Sequence, residues 1–439
     1  MFGEYANMTG VRPQVKASLN RGHCMALDKP SQSFSQSMGN SFRQTMAGIF
    51  SHSKVTETTM LSSHIEQTVK RCQSAVGKYI ICPQDTTYYN YQGHGAMEGL
   101  GIIQGKIKGI IQHNVLALDE EGIPQGIICQ KYWSRDGAKD FEGVESAKWE
   151  EGLSAVNKHL VGVEKTVVVV SDREGDIFDF FKAERAKNVE LLTRVCQPRN
   201  LIVLDKDKKV KLPEIASELT SAGNYEVEVQ RDNQTVRITL AISYGRVDVL
   251  PPKNSTGNLE KTTGLSLVIA QETAATNEKG EDVFDEKEAA CWYLLTSLPV
   301  TTIDEAILVV QFYALRWRIE RFHFTLKSGG YHVEKLQFDD LQTTINAITF
   351  YSIAAWELLR LTYLVRQQHD QPATVCYDEQ EIELLQKVSK KKVVTITDAV
   401  LALVALVGFA RSKKQPLPGV KVLAQAIERF YYVKLGSKS

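Results

Sequence analysis

Four polar residues in the last third of the chain have a spacing suited to phosphodiester chemistry. Tyr313, Arg316, Glu320 and Lys327 lie in the segment FYALRWRIERFHFTLKSGG, separated by two, three and six residues. At about 100° per residue, an α-helix would place all four within roughly 60° on one face. The phenol, guanidinium and ammonium could then bind phosphate oxygens while the carboxylate holds a metal ion. Trp317, on the same helix, is predicted to be a core residue, and a surface ion pair between Glu320 and Arg316 is the simpler alternative for the carboxylate.

Two aspartates elsewhere could complete a metal site around Glu320. Asp85 follows the apolar run KYIICPQ and Asp172 follows TVVVVS, so both are predicted at strand ends. Two-metal phosphoryl transfer requires carboxylates that hold two divalent ions roughly 3.5–4 Å apart. Asp, Asp and Glu supplied by two strands and a helix are typical of ribonuclease-H-like nucleases. Spacing alone leaves simpler roles open, with Asp85 as a turn residue and Asp172 as a helix cap.

The predicted secondary structure divides the chain into three regions. Residues 1–75 are polar and Ser/Gln-rich with helix-period apolar positions, which predicts a helical N-terminal domain; a DNA-binding role for this domain is implied only by the family resemblance given below. Residues 76–338 mix strands and helices, which favours an α/β core, with an antiparallel β-insertion at about 196–290. Within that region, residues 303–327 predict one long helix. Residues 339–439 predict a helical C-terminal region, whose role in dimerisation is likewise implied only by that resemblance.

Composition and charge are those of an ordinary globular protein. The 439 residues are 43% apolar and 24% charged, enough for two or three domains. The 52 basic and 52 acidic residues give zero net charge, a mild argument against DNA binding. The longest apolar stretch, residues 399–410, is too short to span a bilayer, and the first residues lack a signal-peptide pattern, so we expect a cytoplasmic protein. Seven scattered cysteines without a CxxC pair argue against a disulfide framework and a zinc ribbon.

Five sequence blocks resemble, in order and approximate spacing, the Tn-five-like DDE transposases of the insertion-sequence-four family. The blocks are QDTTYYNY, VVSDREGDIFDFF, LLTRVCQPRN, WYLLTSLPV and YALRWRIERFHFTLKSGG. The last block carries the family's Tyr-x2-Arg-x3-Glu-x6-Lys signature. The likeness runs from about Ser37 to Gln337, and KKQPLPGVKVLAQAIERF resembles the family's C-terminal dimerisation region.

This resemblance implies a fold and a role for individual residues. The fold would be α/β, with a ribonuclease-H-like (retroviral-integrase-like) catalytic core, an inserted antiparallel β-domain, and flanking helical domains. Asp85, Asp172 and Glu320 would be the catalytic residues and the ligands of Mg²⁺ or Mn²⁺. The DNA contacts would come from Tyr313, Arg316, Lys327, Arg194, Arg199 and Trp292, with the tryptophan stacking on an extruded base.

The implied function is a transposase that cuts and joins the ends of its own element. Its partners would be double-stranded DNA, namely terminal inverted repeats and target DNA, and a second copy of the chain; when bound to DNA it would associate with the nucleoid. The N-terminus departs from the family, because Met8-Thr9-Gly10-Val11-Arg12 replaces a Leu-Gly-Asp-x-Arg motif and Pro13 follows. Two alternatives stay open: a catalytically inactive regulator that binds DNA and dimerises with active copies, and a ribonuclease-H-like resolvase.

Overall fold

The fold is a mixed α/β structure with extensive β-sheet. The computed structural model describes residues 3–95, 97–232, 234–253, 260–412 and 416–437. Within these ranges the α-helices are α1 (Pro13–Asp28), α2 (Phe34–Met38), α3 (Asn40–Phe50), α4 (Glu57–Ser74), α5 (Lys148–Leu160), α6 (Phe178–Lys182), α7 (Ile303–Ala314), α8 (Trp317–Phe324), α9 (Leu341–Gln367), α10 (Glu379–Ser389), α11 (Ile396–Ala405) and α12 (Val420–Gly436).

The strands occupy the middle of the chain. They are β1 (Tyr79–Asn90), β2 (Gly101–Gln104), β3 (Ile107–Asp119), β4 (Pro124–Trp133), β5 (Thr166–Ser171), β6 (Val189–Val195), β7 (Asn200–Val203), β8 (Lys208–Lys211), β9 (Thr220–Arg231), β10 (Gln234–Val249), β11 (Leu265–Asn277) and β12 (Cys291–Thr296). No described helix is both long enough and apolar enough to cross a membrane.

The chain forms two compact units. The first contains the chain up to Gly77, Asp85–Glu145 and the chain from Arg318 onward. The second contains Lys78–Gln84 and Ser146–Trp317. Strand β1 belongs to both, since its first residues lie in the second unit and its remainder lies in the first. The predicted domain boundaries at residues 75, 338 and 339 stay predictions, as does the extent of the β-insertion.

Helix α9 forms the centre of the first unit. It is apolar on nearly all sides, which is the pattern of a helix surrounded by protein. The Asp340 carboxylate caps its start by accepting a hydrogen bond from the N–H of Thr343 at 2.8 Å. Phe350 packs against Phe50 and Tyr5, with ring centroids 5.3 and 5.9 Å apart. The helices α1, α3, α4 and α12 all contact α9, so the predicted N- and C-terminal helices share one core.

The second unit contains a mixed sheet. Its order is β1-β5-β6-β12-β11-β10-β7-β8, with β9 paired to β10. The pairings of β5 with β1 and β6 are parallel. Every later pairing in this order, from β6 with β12 through to β7 with β8, is antiparallel. Four consecutive valines of β5, residues 167–170, are completely buried. A strand covered on both faces reads as a continuous apolar run, which is why TVVVVS lacks alternation.

The single helix predicted for residues 303–327 is wrong. Helix α7 ends at Ala314, and the N–H of Arg316 bonds to the carbonyl of Tyr313, only three residues back, at 3.0 Å. Helix α8 then runs to Phe324 and is followed by a π-helical turn, Thr325–Gly329. The tighter turn at Arg316 and the wider π-helical turn change the rotation per residue. A regular α-helix with about 100° per residue therefore does not describe the relative directions of Tyr313, Arg316, Glu320 and Lys327.

The strand-end position predicted for Asp85 is also wrong. Asp85 lies inside β1, which continues through Thr86, Thr87 and the following tyrosines to Asn90. Threonine and tyrosine favour extended backbone, and this preference extends the strand past the aspartate. Asp172 follows the last residue of β5, as predicted.

Candidate active site

A phenol and two guanidinium groups meet in the second unit. Tyr313, near the end of α7, is 3% exposed, and its hydroxyl interacts with both Arg194 and Arg316. Burial raises the pKa of Tyr313 above its ordinary value of 10, and the two positive charges oppose that rise. The phenol is therefore neutral near pH 7 and acts as a hydrogen-bonding group.

Strand pairing brings Arg194 and Trp292 to the same place. Arg194 lies on β6 opposite Leu294 of β12, and its Nη2 donates to the carbonyl of Cys291 at 3.3 Å. Trp292 follows Cys291 and packs edge-on against the ring of Tyr313, with centroids 5.0 Å apart at 70°. Three of the separate blocks in the sequence therefore converge around one tyrosine. We refer to Tyr313, Arg194, Arg316 and Trp292 as the arginine–tyrosine cluster.

The cluster carries two positive charges close together. Arg316 is 7% exposed, and its guanidinium lies 5.3 Å from the ring centroid of Trp317. The core position predicted for Trp317 is wrong, because 53% of this residue is exposed. Its ring packs beside the Arg316 guanidinium at the surface, a favourable cation–π arrangement. Paired guanidiniums with a phenol are suited to binding the oxygens of a phosphate.

Arg199 has a structural ion pair. Its guanidinium contacts the Asp176 carboxylate and donates to the Asp176 carbonyl at 2.7 Å. The same carboxylate accepts hydrogen bonds from the N–H groups of Cys196 and Gln197, both at 2.7 Å. Burial lowers the pKa of Arg199, and the negative charge of Asp176 opposes this change. Arg199 therefore fixes the turn after β6, and its contact with DNA stays a prediction.

Asp172 caps a short turn at the end of β5. One carboxylate oxygen accepts a hydrogen bond from the N–H of Glu174 at 2.9 Å, which matches the simpler role considered for it. The side chain is half-buried and belongs to the second unit. A carboxylate has about four lone-pair directions, so one backbone hydrogen bond leaves capacity for a cation.

Asp85 lies beside Asn114 in the first unit. Thr86 Oγ1 is 2.9 Å from Nδ1 of His113 on β3, and five residues later the N–H of Tyr91 bonds to the carbonyl of Lys108 at 3.0 Å. From the first contact to the second, the residue numbers increase on β1 and decrease on β3, so the two strands run antiparallel. One residue before the Thr86–His113 contact, Asp85 is therefore the cross-strand neighbour of Asn114. The N–H of Thr86 donates to Asp85 Oδ1 at 2.8 Å.

Glu320 reaches the same neighbourhood from α8. His323, one helical turn after Glu320, lies with its Nε2 3.0 Å from Nδ2 of Asn114. Residues three apart share a side of a helix. The Asn114–His323 contact thus joins the strand neighbour of Asp85 to the helical neighbour of Glu320. The sequence pattern had assigned no role to His323 or Asn114. The signal that could have found His323 is its i+3 spacing from Glu320.

Lys327 lies in the π-helical turn. Its Nζ donates to the carbonyl of Tyr88 on β1 at 2.8 Å, and the side chain is half-exposed. Gly329 closes the turn, and a Cβ there would stand 2.7 Å from the ring of Phe324. The turn therefore requires a glycine at this position and sets where Lys327 emerges.

The donor chemistry fits a divalent cation. Asp85, Asp172 and Glu320 supply carboxylate oxygens, the ligands that Mg²⁺ and Mn²⁺ prefer. Asp85 and Glu320 belong to the first unit and Asp172 to the second. Across the described part of the chain, no three His, Cys, Asp or Glu side chains form a group that could hold a metal ion. The ligand set therefore stays a prediction.

An apolar pocket lies beside the cluster. Its volume is about 230 Å³, and its wall includes Trp292 together with residues of β9, β10 and α7. The pocket-lining Tyr225 accepts a hydrogen bond from Gln311 at 3.2 Å. Arg231, another lining residue, forms an ion pair with the buried Glu272 at 2.6 Å. The alternating pattern of β9 and β10 gave no signal for this pocket, because α7 closes it from a distant part of the sequence.

No family model matches the sequence. Among solved structures, the chain is similar to the piggyBac transposase synaptic complex with hairpin DNA. The match has 10% sequence identity, covers 85% of this chain and 76% of that one, and has a TM-score of 0.35. A similarity of that size carries no argument about either fold or function.

Proposed function

We propose that this protein is a DNA transposase that cleaves and joins the ends of its own insertion sequence. The observation that carries the proposal is the arginine–tyrosine cluster, which brings together residues from three of the five family-like blocks. Two guanidiniums and a neutral phenol are suited to holding a phosphodiester, and a neighbouring tryptophan is suited to stacking on a base. In this proposal the fold is a ribonuclease-H-like core with a β-insertion.

Asp85, Asp172 and Glu320 would hold Mg²⁺ or Mn²⁺ in this proposal. The ion would supply activation of the attacking oxygen and stabilisation of the leaving oxygen. The cluster residues would hold the scissile strand, and Lys327 and Arg199 would contact further phosphates. Because each step is an in-line attack on a phosphodiester, one site could perform both cleavage and joining. A dimer on terminal repeats and target DNA completes the proposal.

A cleavage assay separates this proposal from its alternatives. Purified protein is incubated with Mg²⁺ and a labelled duplex that carries the terminal repeats flanking the coding region. Wild type is expected to nick at the element terminus, whereas Glu320→Gln binds the duplex without cleaving it. Glu383→Gln is the matched control, since Glu383 is an exposed helical glutamate of the same unit and is expected to cleave normally.

Other outcomes would reject the proposal. Binding without cleavage by wild type would favour a non-catalytic regulator. Cleavage that ignores the repeat sequence, or cleavage of RNA, would favour a nuclease such as a resolvase. Equal cleavage by wild type and Glu320→Gln would remove the carboxylate from the mechanism.

A further inference from the structure

A buried network of side-chain amides lies in the first unit, under helix α8. Gln112 and Asn114 on β3 are completely buried, and Gln130 on β4 is 9% exposed. Buried amides are costly unless their donors and acceptors are satisfied. Three of them on adjacent strands therefore require a specific pattern of hydrogen bonds.

The hydrogen bonds fix the orientation of Asn114. Its Oδ1 accepts from Nε2 of Gln130 at 2.9 Å, and its Nδ2 donates to Oε1 of Gln112 at 3.0 Å. The same Nδ2 donates to Nε2 of His323 at 3.0 Å. His323 Nε2 is consequently the acceptor in this contact. The histidine contributes a lone pair to the network, and its ring direction is set by Asn114.

The network is anchored on two further elements, β1 and α9, and at a second point on β4. The hydroxyl of Tyr89 on β1 donates to Gln112 Oε1 at 2.6 Å, and Gln112 Nε2 donates to the hydroxyl of Tyr132 on β4 at 2.7 Å. The Tyr132 hydroxyl also lies 2.8 Å from Oγ1 of Thr349 on α9. Because each member restricts the orientation of the next, an interlocked network of this kind specifies one arrangement of its elements.

This arrangement bears on the two candidate carboxylates of the first unit. Asp85 is the cross-strand neighbour of Asn114, and Glu320 is one turn before His323 on α8. A hydrogen bond between Asn114 and His323 therefore ties the helix that carries Glu320 to the strand next to Asp85. Apolar residues could fill the same space at lower desolvation cost, but they would leave α8 freer to rotate or slide.

We propose that Asn114 and His323 are positioning residues, which hold α8 in the rotation that directs Glu320 toward Asp85. The proposal rests on the proposed function for the role of those two carboxylates. The network itself neither contacts DNA nor takes part in a chemical step. Its effect is to reduce the freedom of a metal ligand, as hydrogen-bonded partners outside a ligand shell commonly do.

Two substitutions of His323 test the hydrogen bond separately from the shape. His323→Leu removes the acceptor at similar volume, and His323→Gln restores an acceptor that Asn114 can reach. His323→Leu is expected to lower cleavage and Mn²⁺ affinity by about 10- to 100-fold, and His323→Gln to stay within about threefold of wild type. Calorimetric Mn²⁺ titration of the DNA-free protein and single-turnover cleavage give these values.

Hydrogen–deuterium exchange supplies a readout that does not depend on activity. Amides of residues 317–324 are expected to exchange faster in His323→Leu than in wild type or His323→Gln. Tyr132→Phe is a milder variant, which removes one hydroxyl and keeps the ring. It is expected to weaken Mn²⁺ binding in the same direction, so the proposal stays testable if His323→Leu does not fold.

The outcomes distinguish this proposal from the proposed function. If the wild-type protein cleaves element ends and His323→Leu matches it in cleavage, Mn²⁺ affinity and hydrogen exchange, the positioning role alone is overturned. Equal losses in His323→Leu and His323→Gln also overturn it, since the acceptor would then not matter. A third outcome is that the wild-type protein does not cleave DNA, while His323→Leu exchanges faster and binds Mn²⁺ more weakly than wild type. This outcome overturns the transposase function and supports the positioning role.

Discussion

Tyr313, Arg194 and Arg316 place two positive charges against one buried phenol. The sequence predicted each of them as a DNA contact, but it gave no reason for them to meet. Arg194 reaches Tyr313 because β6 pairs with β12, and strand pairing between distant segments is not visible in local patterns. Asn114 and His323 were missed for the same reason, since their contact joins residues far apart in the chain.

Removing one charge of the cluster tests its role in DNA binding. Arg194→Gln is expected to weaken binding to the element end and to lower the slope of log K against log salt by about one. Arg237→Gln is the matched control in the same unit, because the Arg237 side chain is 61% exposed and pairs with Glu228, which is exposed as well. Fluorescence anisotropy across a salt series measures both slopes. An unchanged slope for Arg194→Gln would exclude a phosphate contact.

The charge of Glu4 contributes to the stability of the folded protein. Burial alone would raise the pKa of Glu4, but His64 and Arg71 lower it by more than burial raises it. The pKa of Glu4 is therefore about 2, compared with an ordinary value of 4.5. A lowered pKa stabilises the folded state above pH 4.5, and this stabilisation is lost as the pH falls toward 2. Glu4→Gln is therefore expected to lower the free energy of unfolding by about 3 kcal/mol at pH 7.

Thermal or urea unfolding between pH 3 and pH 7 measures this effect. The difference between wild type and Glu4→Gln is expected to shrink as the pH falls below 4.5. Glu66→Gln is a suitable comparison, because Glu66 contacts the same N-terminal segment through Asn7 but is not buried with Arg71. A difference that does not vary with pH would show that the Glu4 charge contributes nothing.

Elements with strong local signals were predicted well. Such signals stand at two helix starts, where the side chain of Asp340 caps α9 and that of Thr302 caps α7. The break at Arg316 and the π-helical turn after Phe324 were missed. No proline marks them, and the whole segment has good helix-forming composition, so tertiary packing decides the local geometry.

The π-helical turn can be tested through its glycine. Gly329→Ala places a Cβ about 2.7 Å from the Phe324 ring, so the turn must shift or unfold. We expect a loss of about 1–3 kcal/mol in stability, and weaker DNA binding because Lys327 is displaced. Gly48→Ala is the control, since in the described part of the chain a Cβ there meets no atom within 4 Å beyond its own stretch of helix, and α3 should become slightly more stable. Equal stability of the two variants would contradict this account of the turn.

The candidate residues are divided between the two compact units of the protein. Asp85, Glu320 and Lys327 belong to the first, and Asp172 and the arginine–tyrosine cluster belong to the second. The helical ends and the α/β middle could be predicted from periodicity. The joining of the two chain ends into one core with α9 could not, because only long-range packing of apolar faces produces it. Zero net charge argues mildly against DNA binding, but this total does not reveal that Arg194 and Arg316 lie against the same tyrosine.

We expect Asp172 to be required for cleavage, since it is the candidate metal ligand contributed by the second unit. Asp172→Asn removes the negative charge, while the asparagine oxygen can still accept the cap hydrogen bond from the N–H of Glu174. The measurement is the single-turnover rate of nicking at the element end in Mg²⁺, at protein concentrations that saturate the duplex. Unchanged DNA binding and no detectable nicking are expected. Nicking at the wild-type rate would contradict the proposed role of Asp172.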